Sequence, residues 1–230
     1  MSYAKRIVCL ANSYKTGGRC IAGREVLGSG KYGDWIRPVS ARDTDELSIS
    51  EIAYRDNTIP KLLDVIDVPL LRPRPDGHQT ENHEVVPHGR WSKAGEVPWE
   101  ELEFLREFPE SLWIGNECED RGACNWVSES EAAAFHHSLV LIQKRDFKVR
   151  VRTHDRDGAA VKACRGTFKY DATYYSLKVT DPPVIEHYAA MEDGDYKLND
   201  VYLSISLARA WEEDLCCHKL VAAVFTNPPL

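Results

Sequence analysis

Short blocks of apolar residues, separated by glycine-rich breaks, mark the first part of the chain. Arg6–Leu10 reads as a compact strand, Cys20–Leu27 as a second and Trp35–Val39 as a third, with Gly17-Gly18 and the Gly28–Gly33 loop between them. Lys61–Leu71 (KLLDVIDVPLL) is a longer run in which Val65 and Ile66 favour a strand. Pro69 lacks an amide proton and is expected to put that strand at a sheet edge or to end it. Proline and glycine recur through Arg72–His88, which is expected to be a long loop.

A helical signal follows. Pro98 suits a first helical turn, Glu100, Glu101 and Glu103 suit the positive end of a helix dipole, and Leu102, Leu105 and Phe108 form an apolar stripe before Pro109. Residues 92–135 hold eleven acidic and three basic side chains, and Ser128–His137 reads as a second short helix behind a serine cap. Strand character then returns. Leu139–Arg152 opens apolar and then alternates, with Phe147, Val149 and Val151 on one face and Lys148, Arg150 and Arg152 on the other. Cys164–Tyr170 and Thr173–Thr180 predict a hairpin about Asp171-Ala172, in which Tyr175, Leu177 and Val179 share a face. Val201, Leu203, Ile205 and Leu207 alternate again, and Lys219–Phe225 is a last apolar strand. The pattern predicts a mainly β protein of two small barrels with a short helical connection, residues 1–130 and 131–230.

Composition adds limits. With 230 residues, 43% hydrophobic and 28% charged, the chain can bury a core in one large domain or in two, and disorder is excluded over most of its length. Lys5 and Arg6 precede only five apolar residues, short of the roughly 7–15 of a signal-peptide core. No later run reaches the roughly 18–20 apolar residues of a membrane span. Seven cysteines in no regular framework point to free thiols in a reducing compartment, so a cytoplasmic location without membrane contact is expected.

A net charge of −7 argues against strong nucleic-acid binding by charge alone, but the charge is uneven. Residues 1–40 carry seven basic and two acidic side chains, and residues 139–180 carry ten basic and four acidic. The bland account is ordinary unevenness; the functional one is two basic surfaces on an acidic protein.

Most familiar motifs fail on context. Gly28-Ser29-Gly30-Lys31-Tyr32-Gly33 fits G-x-G-x-x-G, but a strand (Trp35-Ile36-Arg37-Pro38-Val39) follows where dinucleotide binding needs a helix. A hairpin loop is expected instead. His78, His83 and His88, the pair Cys118 and Cys124, and adjacent Cys216-Cys217 match no common zinc spacing, so neither metal nor cofactor is expected. Cys9 or Cys20 with His83 is the one nucleophile arrangement left open, without any local catalytic signature. The polar segment His78–His83 (HQTENH) is either a functional loop or a surface loop held by its own hydrogen bonds.

Several stretches together resemble a known family. Val8–Ser13 (VCLANS), Gly18–Gly23 (GRCIAG), Trp35–Ser40 (WIRPVS), Pro60–Asp64 (PKLLD), Gly77–His83 (GHQTENH), Tyr175–Pro182 (YSLKVTDP) and Lys219–Val224 (KLVAAV) are similar to bacterial dual OB domain proteins. The resemblance spans nearly the whole chain. It implies two tandem OB-like barrels and a role in prokaryotic conflict or anti-phage defence, sensing or handling nucleic acid. It brings no catalytic residues with it.

OB barrels bind single strands through a basic groove with aromatic rings on which bases stack. The expected contacts are Arg19, Arg24, Trp35, Arg37, His78 and His83 in the first half, and Lys148, Arg150, Arg152, Lys169 and Tyr170 in the second. The expected partner is nucleic acid, single-stranded, or a nucleotide, bound without catalysis, with a protein partner in the same system. Two alternatives stay open: an enzyme acting on nucleotides or nucleic acid around His78–His83, and a protein-interaction adaptor using the acidic surface.

Overall fold

The computed structural model describes residues 2–115, 119–120, 123–156 and 158–230. The chain divides into two compact units, Met1–Leu105 and Arg106–Leu230.

The first unit contains β1 (Tyr3–Lys15), β2 (Gly18–Val26), β3 (Tyr32–Val39), β4 (Asp64–Pro73) and β5 (Asn82–Val85), joined in the ring β1-β2-β3-β5-β4 and back to β1. β1 serves two neighbours because Tyr3–Val8 pairs with β4 while Ile7 onward pairs with β2. The bend this requires falls at a bulge between Cys9 and Ala11. Opposite it, Gly23 admits so close an approach that a Cβ would lie 2.0 Å from the Val8 carbonyl oxygen. β3 and β5 run parallel, and α1 (Ile49–Ile52), begun by a Ser48–Glu51 capping box, lies between β3 and β4. Five strands closed in this order make an OB-fold barrel around Ile7, Cys9, Ile21, Ile36, Ile66 and Trp91.

Three expectations change here. The stretch Arg72–His88 is not one loop, because β5 inserts between β3 and β4; its Asn82 and Glu84 look loop-like but are buried. β6 (Ser92–Glu96), which carries no large apolar residue, adds to the start of β4. Pro69 neither ends β4 nor marks an edge. β4 pairs with β6 through Asp64–Asp67 and with β5 from Leu70, so Pro69 sits where the neighbour changes and no donor is missed. The Gly28–Gly33 segment is a hairpin loop, as expected, with Leu27 and Lys31 bonded across it. A 3-10 turn, Trp99–Glu101, leads into α2 (Leu102–Leu105), whose Leu102 and Leu105 are buried.

The second unit begins with the short β7 (Glu119–Asp120), β8 (Ala123–Cys124), β9 (Trp126–Ser128) and α3 (Glu129–Ala132), the last capped by Ser128 and Glu131. Then come β10 (Leu139–Lys144), β11 (Phe147–Arg156), β12 (Ala159–Tyr170), β13 (Thr173–Val179), α4 (Pro182–Ala189), β14 (Gly194–Leu198), β15 (Val201–Ala210) and β16 (Cys216–Phe225). The order β11-β12-β13-β16-β15-β10 repeats that of the first unit, with β13 and β16 parallel. β10 and β11 together stand for one strand, broken at Arg145-Asp146: β10 pairs with β15, β11 with β12. The break exposes the edge of β11, which β14 fills. α4 occupies the place of α1, between the third and fourth strands. Gly166 in β12 repeats the device of Gly23, since a Cβ there would lie 2.7 Å from the Phe147 ring.

β9 pairs with β16, so residues 126–128 belong with the second sheet and the division falls after Leu105 rather than after residue 130. The outer edge of β10 is closed by Glu107, whose amide donates to the Leu141 oxygen at 2.7 Å and whose carboxylate accepts from the Leu141 amide at 3.0 Å. Cys9, Cys20, Cys164, Cys216 and Cys217 are free thiols, but Cys124 is disulfide-bonded, which departs from the expectation of free thiols throughout. Cys118 lies outside the described residues. Among the described residues, no helix is long and apolar enough to cross a membrane.

Candidate nucleic-acid interface

In the first unit the expected contact residues are drawn inward. The parallel register of β3 and β5 sets Arg37 against Asn82, and the Arg37 guanidinium meets the Glu81 carboxylate at 3.2 Å with both side chains about 95% buried. Trp35 is 8% exposed and His78 5%, so neither ring is presented as a stacking platform. Arg24 donates to the Gly33 oxygen at 2.6 Å, and the Arg19 guanidinium lies 4.3 Å from the centre of the Tyr14 ring. His83 contacts the Tyr3 hydroxyl through Nδ1 at 2.5 Å; burial, and then the nearby Lys5, hold its pKa below the usual histidine value. The HQTENH segment is therefore a largely buried polar stretch, with Thr80 exposed. Among the described residues, no group of three or more His, Cys, Asp or Glu side chains is placed to hold a metal ion.

In the second unit the alternation along β11 is realised. Phe147, Val149 and Val151 are fully buried, and Lys148, Arg150 and Arg152 lie on the opposite face. Cross-strand register then adds residues that the sequence did not join. Arg150 stands opposite Arg165 of β12, Arg165 opposite Lys178 of β13, and Lys148 opposite Lys197 of β14. Lys169, four residues on from Arg165, shares this face, and opposite it stands Tyr174. One sheet face thus carries Lys148, Arg150, Arg152, Arg165, Lys169, Lys178 and Lys197.

The carboxylates on this face are few. Arg150 grips Asp195 through two contacts of 3.1 and 3.2 Å, and Arg152 reaches the same carboxylate at 2.9 Å. These two guanidinium groups hold the Asp195 carboxyl below its usual range, Arg150 contributing most. Lys197 lies 3.5 Å from Asp146. Lys148, Lys169 and Lys178 are exposed and, among the described residues, pair with no carboxylate.

Tyr170 does not join Lys169. Alternation puts it on the other side of β12, where its hydroxyl donates to the Pro109 oxygen at 2.6 Å and Lys144 approaches its ring at 5.7 Å. Sequence reading also passed over Lys219, which is 1% exposed. Its Nζ donates to the Cys124 oxygen at 3.2 Å and lies 2.9 Å from Cys124 Sγ and 5.3 Å from the Tyr175 ring centre. Burial pushes its pKa down to about 7.

A closed barrel and its broken counterpart define a tandem OB-fold protein with its accessible basic face on the second barrel. The family model described as the dual OB-containing domain matches residues 5–224, and the chain belongs to that family. No curated protein matches it. Among solved structures the chain is similar to a murine DNA-binding protein bound with double-stranded DNA, at 12% identity over 98% of this chain and 96% of that one, with a TM-score of 0.32. That likeness is too loose to transfer anything.

Proposed function

We propose that the protein is a non-catalytic binder of single-stranded nucleic acid, which lies across the outer face of β11, β12 and β13. The carrying observation is the register that gathers unpaired Lys148, Lys169 and Lys178 beside Arg150, Arg152 and Arg165 on one exposed face. β12 and β13 are the second and third strands of this barrel, whose outer face is where OB folds take oligonucleotides. Neighbouring strands lie about 4.8 Å apart and residues two apart on a strand about 7 Å, spacings that let several phosphates meet cations at once. Tyr174 adds a ring on which a base can stack, an interaction worth about 1–3 kcal/mol. A cytoplasmic role as the nucleic-acid sensor of a prokaryotic defence system, which the family resemblance implies, belongs to the same proposal.

The test replaces Lys148, Lys169 and Lys178 with Ser and titrates a labelled oligothymidylate at two salt concentrations. These side chains are exposed, so folding is preserved. Without these three ammonium groups to meet phosphates, the slope of log affinity against log salt falls by about 2, at roughly 0.7 per phosphate. Equal slopes and affinities for wild type and variant would sink the proposal.

A further inference from the structure

A cleft of about 390 Å³ opens at the broken turn between β10 and β11, within the second unit, and none of its lining residues belongs to the basic face. Its walls carry Arg106, Phe108, Gln143, Lys144, Arg145 and Tyr170. The volume is near the lower end of the roughly 300–1,000 Å³ of small-molecule sites, enough for one nucleotide. Phe108 is 76% exposed, an unusual position for a large apolar ring, and the Arg106 guanidinium lies 4.7 Å from its centre. Arg106 is held in turn by Gln143 Oε1 at 2.5 Å. The arrangement offers a flat, cation-backed aromatic surface.

Deeper in the cleft Lys144 is half-buried beneath the Tyr170 ring, and among the described residues its Nζ has no hydrogen bond or ion pair. Burial lowers its pKa, with Asp146 acting the other way. Arg145 is 90% exposed and only 4.0 Å from Asp200, a loose pair that an incoming anion can displace. The acidic members of the lining are Glu107, committed to Leu141, and Asp146, which lies toward Lys197. The lining holds three cations and two carboxylates, with Asp200 beyond it as the loose partner of Arg145.

We infer that this cleft is a second binding site, which takes a phosphate monoester attached to a nucleobase, the phosphate on Lys144 and Arg145 and the base against Phe108. The pairing follows from position. A partly buried ammonium in no direct ion pair is satisfied by an anion rather than by a neutral group, and an exposed ring backed by a guanidinium is the surface on which a base stacks. The same chemistry belongs to a free nucleoside monophosphate and to the 5′-phosphorylated end of a strand.

Calorimetry on the full chain separates these sources, with adenosine monophosphate, adenosine, inorganic phosphate, and a short oligothymidylate with and without a 5′-phosphate as probes. Adenosine monophosphate is expected to bind at least about tenfold more tightly than adenosine or inorganic phosphate alone, since each supplies only half of the interactions. If the monophosphate gives no heat but the 5′-phosphate still tightens oligothymidylate binding, the ligand is the strand end. Lys144→Met and Arg145→Ser should weaken whichever phosphorylated probe binds, and Phe108→Ala should lower its affinity by about 5- to 150-fold while leaving inorganic phosphate unaffected. Arg145→Ser cannot unfold the protein, because the side chain is almost wholly in solvent. The triple Lys148, Lys169, Lys178→Ser variant should keep full binding of adenosine monophosphate, so failure of the face and failure of the cleft are read separately. Phosphorylated and unphosphorylated probes of equal affinity, or adenosine monophosphate binding unchanged in Lys144→Met and Arg145→Ser, would overturn the inference.

Discussion

The two barrels share a strand order and dispose of their cations in opposite ways. In the first, Arg37, Arg72, Arg74 and Lys93 each face a buried carboxylate, respectively Glu81, Glu84, Asp45 and Asp64, whose side chains are 5–8% exposed. In the second, Arg150 and Arg152 share Asp195, 34% exposed, and three lysines of the same face have no partner among the described residues. The segments 1–40 and 139–180 are about equally basic in sequence. What differs is the segment that comes to lie beside them: β5 and the residue before it bring Glu84 and Glu81 to the first barrel's cations, whereas β11, β12 and β13 face one another cation to cation. Segment charge therefore says little about availability, and cross-strand register says much.

The largest expected effect tests the buried side of that contrast. Arg37→Met removes the cation from the buried Glu81 carboxylate and should destabilise the protein by about 3–5 kcal/mol. Arg150→Met, which leaves Asp195 in contact with solvent, should cost no more than about 1 kcal/mol. Urea unfolding of the two variants compares them directly, and similar destabilisation of both would break the contrast. Next come the two glycines that permit a close approach, one in each barrel. Gly23→Ala and Gly166→Ala should each cost about 1–3 kcal/mol by overpacking. Gly23→Ala should be the worse, because its Cβ meets a backbone oxygen whereas Gly166 meets the side chains of Phe147 and Val221. A harmless Gly23→Ala in thermal melts would show that β1 and β2 do not need their close approach.

Lys219 gives a pH-dependent effect within the second barrel. Its pKa is lowered from 10.5 to about 7, so between those values the unfolded chain keeps a proton that the folded chain has released. Its contribution to stability therefore rises with pH across that window and is least favourable below pH 7, with a slope of at most about 1.4 kcal/mol per unit. Lys219→Met should melt higher than wild type below pH 7, and the gap should narrow as pH approaches 10.5. A constant gap across the window would mean that the ammonium is not desolvated. The smallest effect is expected from Asp195→Asn, which releases Arg150 and Arg152 to the basic face. Oligonucleotide affinity should tighten a few-fold and the salt slope steepen by about 0.7 for each phosphate newly met. Unchanged titrations would place the strand elsewhere.

Much of this architecture was legible where one face of a strand is buried. The alternation of Phe147, Val149 and Val151 with Lys148, Arg150 and Arg152 is reproduced along β11, and the hairpin about Asp171-Ala172 joins β12 to β13. β5 was not legible: in NHEV the polar Asn82 and Glu84 are buried, held by Arg37 and Arg72 respectively, and only Val85 joins the apolar core. α4 had a signal that was passed over, Pro182-Pro183 opening a helix at positions where the missing amides do no harm. On the candidate face, Tyr174, Ser176 and Lys178 follow from the parity of Tyr175, Leu177 and Val179. Their meeting with Arg165 and Arg150 depends on register, which one strand read alone does not contain. Trp35 and Arg37 had the residue types of a contact site, but types do not reveal the carboxylate or the core that claims them.

Glu107 on the outer edge of β10 has a consequence for how copies of this protein behave at high concentration. β10 ends its sheet with the sequence LVLIQK, a β-prone apolar stretch of the kind that recruits matching strands from other molecules into aggregates. Glu107 offers both an amide and a carboxylate to Leu141, imitating one residue of a neighbouring strand and occupying the hydrogen-bonding positions where a foreign chain would begin to pair. The far end of the same sheet, β14, needs no such plug, since Asp195 and Lys197 lie along it. One glutamate thus guards the vulnerable border of the second barrel against fibre-like self-association.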